Sequence, residues 1–319
     1  MRFIIFGKIP PPIGGVTISI LNLMLSLSNL SFERDLFDVR RLVSYFWGRS
    51  NNVGHVNWSN PKKRLIYCLI SKLICKKTVF VVHGSNFNSK NFFNNLSLKV
   101  ANGVIVLNQQ VYDHIHNKHP KMKIFKQTSI FLEGMESTDS KFLNNHIHEE
   151  IERKTKFNIL PIVLFYTNNN KFRNGKEVYG TGFFIDSVKE MVVNNEIFVL
   201  FIDLSGTFES RIKEEFKTGK YLYISDAIDF KYALSLADVY VRTTNYDGSS
   251  VAVLEAIQSN TPVLVSDVID RPSACYIYKS ENRVSFLTGL KKCLTGHGNN
   301  VSDLHVSSVS SLLDFIKTI

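Results

Sequence analysis

No apolar run in this sequence is long enough to cross a bilayer. The longest, Leu65–Cys75, is broken by Lys72 and falls well short of the about 20 residues a span requires. The apolar opening Met1–Gly7 is too short for a secretory signal and reads as a first strand. Cysteine is scarce: Cys68, Cys75, Cys275 and Cys293 form no CxxC pair, which argues against a disulfide framework or a zinc site. Cys68 and Cys75, seven apart on a helical stretch, share a face and are expected in the core. His114, His116 and His119 lack metal-ligand spacing, so no bound metal is expected. There is no internal repeat, no low-complexity tract, no GxGxxG and no nucleic-acid recognition motif. What remains is a globular chain expected in the cytoplasm.

The 319 residues, 44% hydrophobic and 21% charged, suffice for two domains with substantial cores. The net charge of +10 is unevenly spread. Residues 1–155 hold 21 Lys and Arg against 10 Asp and Glu, while residues 156–319 hold 17 against 18. The apolar helix Leu65–Lys77 has basic ends, Lys62-Lys63-Arg64 before it and Lys76-Lys77 at its close. It reads either as a core helix with solvated termini or as a basic helix at an anionic membrane surface. With the charge bias of the first half, the second reading predicts a lipid-facing patch of Lys62, Lys63, Arg64, Lys72, Lys76 and Lys77.

Strands and helices alternate through both halves. Residues 3–6 form a strand, Lys8–Val16 a loop stiffened by three prolines and opened by Gly14-Gly15, and Thr17–Ser28 a helix. Residues 34–60 look irregular. Thr78–Val82 is a buried-strand pattern delivering His83-Gly84-Ser85 to its carboxyl end, where open α/β sheets bind ligands. Val104–Asn108 brings Asn108 to the same edge. A charge-rich helix lies within 136–160, with a linker at Asn158–Pro161. The second half runs through strands at 162–166, 197–203, 221–224, 239–241 and 263–265. A polar loop, Thr167–Glu177, precedes Gly180-Thr181-Gly182 and a helix at 183–191. The pattern predicts two successive α/β domains of similar size, 1–157 and 158–305. An amphipathic helix at 306–319 is expected to return to the first domain.

The segment from Val239 to Ala256 reads as strand, polar turn and helix. Asp247 falls on the turn and Glu255 about five residues into the helix. The backbone N–H groups near Ser249 and Ser250 then form an anion site at the helix start. An anion flanked by two carboxylates, which only accept hydrogen bonds, suits a sugar nucleotide: diphosphate on the amides, hydroxyls on the carboxylates. The plain alternative is a capped helix with two solvent-facing acids.

Taken together, these stretches resemble the retaining glycosyltransferases of family 4, which implies the GT-B fold of two Rossmann-like domains facing across a cleft. Pro11-Pro12-Ile13-Gly14-Gly15-Val16 resembles that family's N-terminal loop, and His83-Gly84 the position of its active-site histidine. Asp247 and Glu255 match its E-x7-E motif as D-x7-E, and Ser266-Asp267-Val268 with Arg271-Pro272 resembles the stretch after it. The resemblance implies that Gly14 and Gly15 present amides to the donor phosphates and that the Ser249, Ser250 and Val251 amides cradle the diphosphate. Glu255 would bind the ribose, Asp247 the donor sugar, and His83 would lie near the anomeric carbon, with Asn108 on the acceptor side. The family's two phosphate-binding cations are absent: Thr167-Asn168-Asn169 and Tyr179 stand in their places. Lys171, Arg173 or Lys176 on the following loop, or Arg242, would have to substitute.

The expected activity is hexose transfer from a nucleotide-diphosphate sugar to a hydroxyl of a lipid-linked glycan in bacterial surface polysaccharide (O-antigen type) assembly. It would need no cofactor or metal and no nucleic acid, and would act peripherally at the inner face of the plasma membrane. The alternatives are a catalytically inactive binding protein and a sugar-nucleotide epimerase of the same fold.

Overall fold

The computed structural model describes residues 1–10, 14–84, 87–131, 145–296 and 307–319. Pro11–Ile13 of the proline loop and Ser85 therefore lie outside the described residues. The chain divides into two compact units. One comprises Met1–Thr138, Gly248–Val251 and His305–Ile319; the other comprises Asp139–Asp247 and Ala252–Leu304.

The first unit runs β1 (Arg2–Phe6), α1 (Gly15–Asn29), β2 (Glu33–Leu36), α2 (Leu42–Trp47), β3 (Asn52–Val56), α3 (Pro61–Ile74), β4 (Lys77–Val82), α4 (Phe92–Val100), β5 (Gly103–Val106), α5 (Gln109–Lys118) and β6 (Lys123–Lys126). Its six strands are all parallel, in the order β2-β1-β3-β4-β5-β6. A parallel sheet is covered on both faces, and the period of two along each strand feeds two cores. Phe3, Ile5, Val79, Val81 and Ile105 point to one core, while Ile4, Phe6, Phe80, Val82, Val104 and Val106 point to the other.

The second unit runs α6 (Asn145–Thr155), β7 (Ile162–Thr167), β8 (Phe172–Arg173), β9 (Lys176–Glu177), α7 (Thr181–Val193), β10 (Phe198–Asp203), α8 (Glu209–Glu215), β11 (Tyr221–Ile224), α9 (Phe230–Leu236), β12 (Val239–Arg242), α10 (Val251–Gln258), β13 (Val263–Ser266), β14 (Tyr276–Tyr278) and α11 (Arg283–Thr295). Its main sheet is again six parallel strands, β11-β10-β7-β12-β13-β14. Val163, Phe165, Val199 and Phe201 face α7 and α11, while Leu164, Leu200 and Ile202 face α6, α9 and α10.

Several expectations shift. The stretch 34–60, irregular by its pattern, carries β2, α2 and the wholly buried inner strand β3. Helix α6 falls with the second unit, where Ile147 and Ile151 pack beside Ile162 and Leu164, so the division between the units comes before α6 and not at 157. The loop Thr167–Glu177 is in part a hairpin, β8 against β9, turning through Asn174 and Gly175, both at positive φ. The final helix, α12 (Val309–Thr318), buries Val309, Leu312 and Ile316 in the first unit's core, and Lys77 Nζ donates to the carbonyls of Ile316 and Lys317 at its end. All four cysteines are free thiols; Cys68 is buried on α3, and Cys75, also buried, is the residue just after it.

Candidate functional site

In the second sheet the strand order reverses between β7 and β12, and the carboxyl ends at such a reversal are where open α/β sheets take ligands. The segment leaving β12 is pinned there. Thr243 Oγ1 donates toward the carbonyls of Tyr179 and Gly180, both at 2.9 Å, and Asn245 bonds Val178 and Glu177 through its backbone N–H and side-chain amide. The approach needs glycine at 180: its φ is +61°, and a Cβ there would lie 2.1 Å from the Thr243 carbonyl oxygen.

Asp247 ends this segment inside a clamp of two arginines. Its Oδ2 accepts from Arg242 Nε at 2.8 Å, Arg271 Nη1 at 2.8 Å and Thr244 Oγ1 at 3.3 Å; its Oδ1 accepts from Arg242 Nη2 at 3.1 Å. Arg271 also donates through Nε to the Ser266 carbonyl at 3.0 Å. The three side chains are 11% (Arg242), 2% (Arg271) and 7% (Asp247) exposed. Burial alone would raise the Asp247 carboxyl, but the two guanidiniums outweigh it and hold it far below the usual carboxylate range. Burial would likewise lower Arg242, and Asp247 reverses the sign. Two cations against one anion leave the cluster with one net positive charge. Arg271, which the family resemblance includes only as part of a stretch, is thus the residue that completes it.

Glu255 lies on α10 with different neighbours. Desolvation pushes its carboxyl up to about 7, partly offset by Lys231, with Asp229 adding to the rise. Ser249 and Ser250 immediately precede α10 and Val251 opens it; Ser250 and Val251 are buried. Of the loop cations, Arg173 sits on β8 with its guanidinium 4.8 Å from the Tyr246 ring centre, and Lys176 pairs with Glu281. The N-terminus of α7 is taken by the chain itself, since the Gly182 N–H donates to Glu177 Oε2 at 2.7 Å. The sequence placed Gly180-Thr181-Gly182 ahead of this helix, whereas Thr181 and Gly182 are its first two residues and Gly180 its N-cap.

In the first sheet the strand order reverses between β1 and β3. Asn57 and His83 follow the carboxyl ends of β3 and β4. Asn57 Nδ2 lies 2.9 Å from His55 Nδ1 and 3.1 Å from the His55 carbonyl, both acceptors, which leaves Asn57 Oδ1 facing His83 Nε2 at 3.1 Å. That oxygen only accepts, so His83 carries its proton on Nε2 and presents a bare Nδ1. Burial, with His55 and Arg64 adding to it, pulls His83 down to about 3, and burial takes His55 down to about 4. Both rings therefore stay neutral near pH 7. His55 on β3 and Asn57 just after it were not singled out by the sequence. We expect the His83 ring resonances to stay flat between pH 8 and 5. In Asn57→Asp, whose carboxylate favours imidazolium, they should move through that window in a proton NMR titration. A wild-type His83 titrating near 6.5 would contradict the assignment.

Gly14 is the N-cap of α1 in extended conformation, and Gly15 begins the helix with open space where a Cβ would stand. Asn108 caps α5, its Oδ1 accepting from the Val111 N–H at 2.9 Å, while its Nδ2 is buried without a partner among the described residues.

No family model and no curated protein matches the sequence. Solved structures do match in fold. HepE (Alr3699) of Anabaena, solved in complex with UDP and glucose, superposes with a TM-score of 0.63 at 9% identity, covering 100% of this chain and 96% of that one. Sucrose-phosphate synthase from Thermosynechococcus elongatus gives 0.63 at 12% identity, over 92% and 90% of the two chains. TarM of S. aureus, solved with UDP and alpha-GlcNAc-glycerol, gives 0.53 at 15% identity, over 87% of this chain and 53% of that one. The fold is that of these GT-B proteins: α/β throughout, with two parallel six-stranded sheets.

Proposed function

We propose that this chain is a retaining glycosyltransferase that moves a hexose from a nucleotide-diphosphate sugar, with UDP the first nucleotide to test, to a hydroxyl of a lipid-linked glycan at a membrane surface. The observation that carries the reading is the Arg242–Asp247–Arg271 cluster at the strand-order reversal of the second sheet, in a chain whose whole length shares the fold of a protein crystallised with UDP-glucose. A leaving diphosphate gains negative charge in the transition state, and a fixed, desolvated positive charge stabilises it without reorganisation. The cluster's net charge takes over from the two cations that the family resemblance leads one to expect and this chain lacks. Asp247 then acts by holding the two guanidiniums, since both its oxygens already accept from them. In the second unit Glu255 accepts the ribose hydroxyls; in the first, the family resemblance gives the amides at Gly14–Gly15 and at Ser249–Val251 to phosphate oxygens and neutral His83 to the reacting sugar. Retention follows from front-face attack by the acceptor hydroxyl, with no protein nucleophile and no metal.

The test is calorimetric titration with UDP and GDP, followed by incubation with labelled sugar nucleotides and lipid-diphosphate acceptors. We expect binding of one nucleotide in the micromolar range and acceptor-dependent transfer that persists in EDTA. Product formed from a sugar nucleotide without acceptor would indicate an epimerase. Failure to bind either nucleotide, with Glu255→Ala indistinguishable from wild type, would overturn the proposal.

A further inference from the structure

The first unit carries an apolar face that nothing in the described chain covers. Helix α2 turns Tyr45 into the core and leaves Val43, Phe46 and Trp47 outside, at the i, i+3, i+4 spacing of one helical stripe. Helix α3 buries Leu65, Cys68 and Ile74 and holds a second apolar stripe, Ile66, Leu69 and Leu73, on its exposed side. Trp47 is 82% exposed, Val43 69% and Leu73 64%. The two helices are joined where they end: Asn52 Nδ2 donates to the carbonyls of Tyr45 at 2.8 Å and Ile74 at 3.0 Å, and Arg49 Nη2 lies 3.3 Å from the Lys72 carbonyl. Six large side chains, two of them aromatic, are thus held outward on neighbouring rigid elements. Contiguous exposed apolar surface of this kind marks a contact site.

The charge around it selects the contact. From Val39 to Tyr112 the sequence contains no Asp or Glu at all, against 11 Lys and Arg. Arg49, Lys62, Lys63 and Lys76 are exposed around the two helices. Others expected in the patch are not available to it. Arg64 is buried, donating to Asn94 Oδ1 and to the carbonyls of Trp58 and Ser59. Lys72 reaches Asn102, and Lys77 is spent on the end of α12. A second copy of this chain would bring the same positive rim against itself, where like charges repel. A bilayer with anionic headgroups supplies the opposite charge, an apolar interior for Val43, Phe46 and Leu73, and the interfacial depth that tryptophan prefers.

We propose that the outer faces of α2 and α3 dock the chain onto an anionic phospholipid surface, with Trp47 inserted at headgroup level. This deepens the reading of a membrane-borne acceptor and rests on it for its purpose. Vesicle binding is measured without donor or acceptor, so failure of the docking face and failure of the transferase reading are distinguishable. The chain has two tryptophans, and Trp58→Phe leaves Trp47 as the single reporter. We expect this protein to sediment with vesicles of phosphatidylcholine and phosphatidylglycerol but not with phosphatidylcholine alone, and to release as salt is raised. Trp47 emission should shift to the blue and be quenched by brominated acyl chains. In the otherwise wild-type chain, Phe46→Ser with Trp47→Ser should weaken vesicle binding at least about tenfold while UDP affinity stays unchanged, which also shows that the variant is folded. Three results would overturn the proposal: no binding at low salt, vesicle binding with Trp47 still in water, or Trp47 shielded without lipid as protein concentration rises, the signature of self-association.

Discussion

Arg271→Leu is expected to destabilise the second unit by about 3–5 kcal/mol, the cost typical of removing one partner from a buried ion pair. The loss is large because Asp247 is 7% exposed and loses one of the two guanidiniums that clamp it, while Arg242 and Thr244 continue to donate to it. The freed Ser266 carbonyl adds to it. The cluster also falls from one net positive charge to none, so nucleotide affinity should drop by at least about tenfold, or 1.4 kcal/mol. Arg271→Lys separates the two effects: it restores the charge without the planar fork, so it should recover more of the nucleotide affinity than of the stability. Urea unfolding and calorimetry on the two variants read both quantities. A stability loss under about 1 kcal/mol for Arg271→Leu would mean that the clamp is not what holds Asp247.

Glu255→Gln is expected to do the opposite to stability. The carboxyl titrates at 4.5 in an unfolded reference and at about 7 in the fold, where burial is the main cause. Between those values the folded state binds more protons than the unfolded one, so stability falls as pH rises through the window and stays reduced above 7. For a half-buried group partly screened by solvent the penalty at pH 8 comes to about 1–2 kcal/mol. Glutamine removes it, so the variant should be more stable than wild type at pH 8 and no more stable at pH 4.5. Donor binding should pay for that gain. Ribose hydroxyls need the ionised acceptor, so UDP affinity should rise from pH 6 to 8 in wild type and be weak and flat in the variant. At pH 6.5, UDP binding should release protons, seen as a heat that depends on the buffer's ionisation enthalpy. No buffer dependence in wild type would sink the assignment of Glu255 to the ribose.

Much of the fold is legible because parallel strands, buried on both faces, are nearly continuous apolar runs: Thr78–Val82, Ile162–Tyr166 and Phe198–Ile202 each stand out. β3 does not. Asn52-Val53-Gly54-His55-Val56 is as buried as they are, yet three of its five residues serve purposes other than apolar packing. Asn52 ties off two helix ends, and Gly54 leaves room for α3, where Ser71 Oγ would stand 1.8 Å from any Cβ. His55 orients Asn57. The Asn174-Gly175 hairpin was readable from its dipeptide alone. The site divides the same way. Asp247 and Glu255 are visible by spacing, whereas Arg271 reaches Asp247 from 24 residues away, across a strand, and no local pattern announces that.

The placement of α12 also has a consequence for the nascent chain. Val309, Leu312 and Ile316 complete a core otherwise built from residues in the first 131. At about 5–20 residues per second, translation reaches residue 309 roughly 10–35 s after residue 131. Through that interval Phe3, Ile5, Val79 and Val81 lack part of their cover. The sheet and helices of the second unit, α6 to α11, are made meanwhile. The half of the protein that is synthesised first is therefore the half that finishes folding last, and its waiting apolar face is where a chaperone would have most to hold.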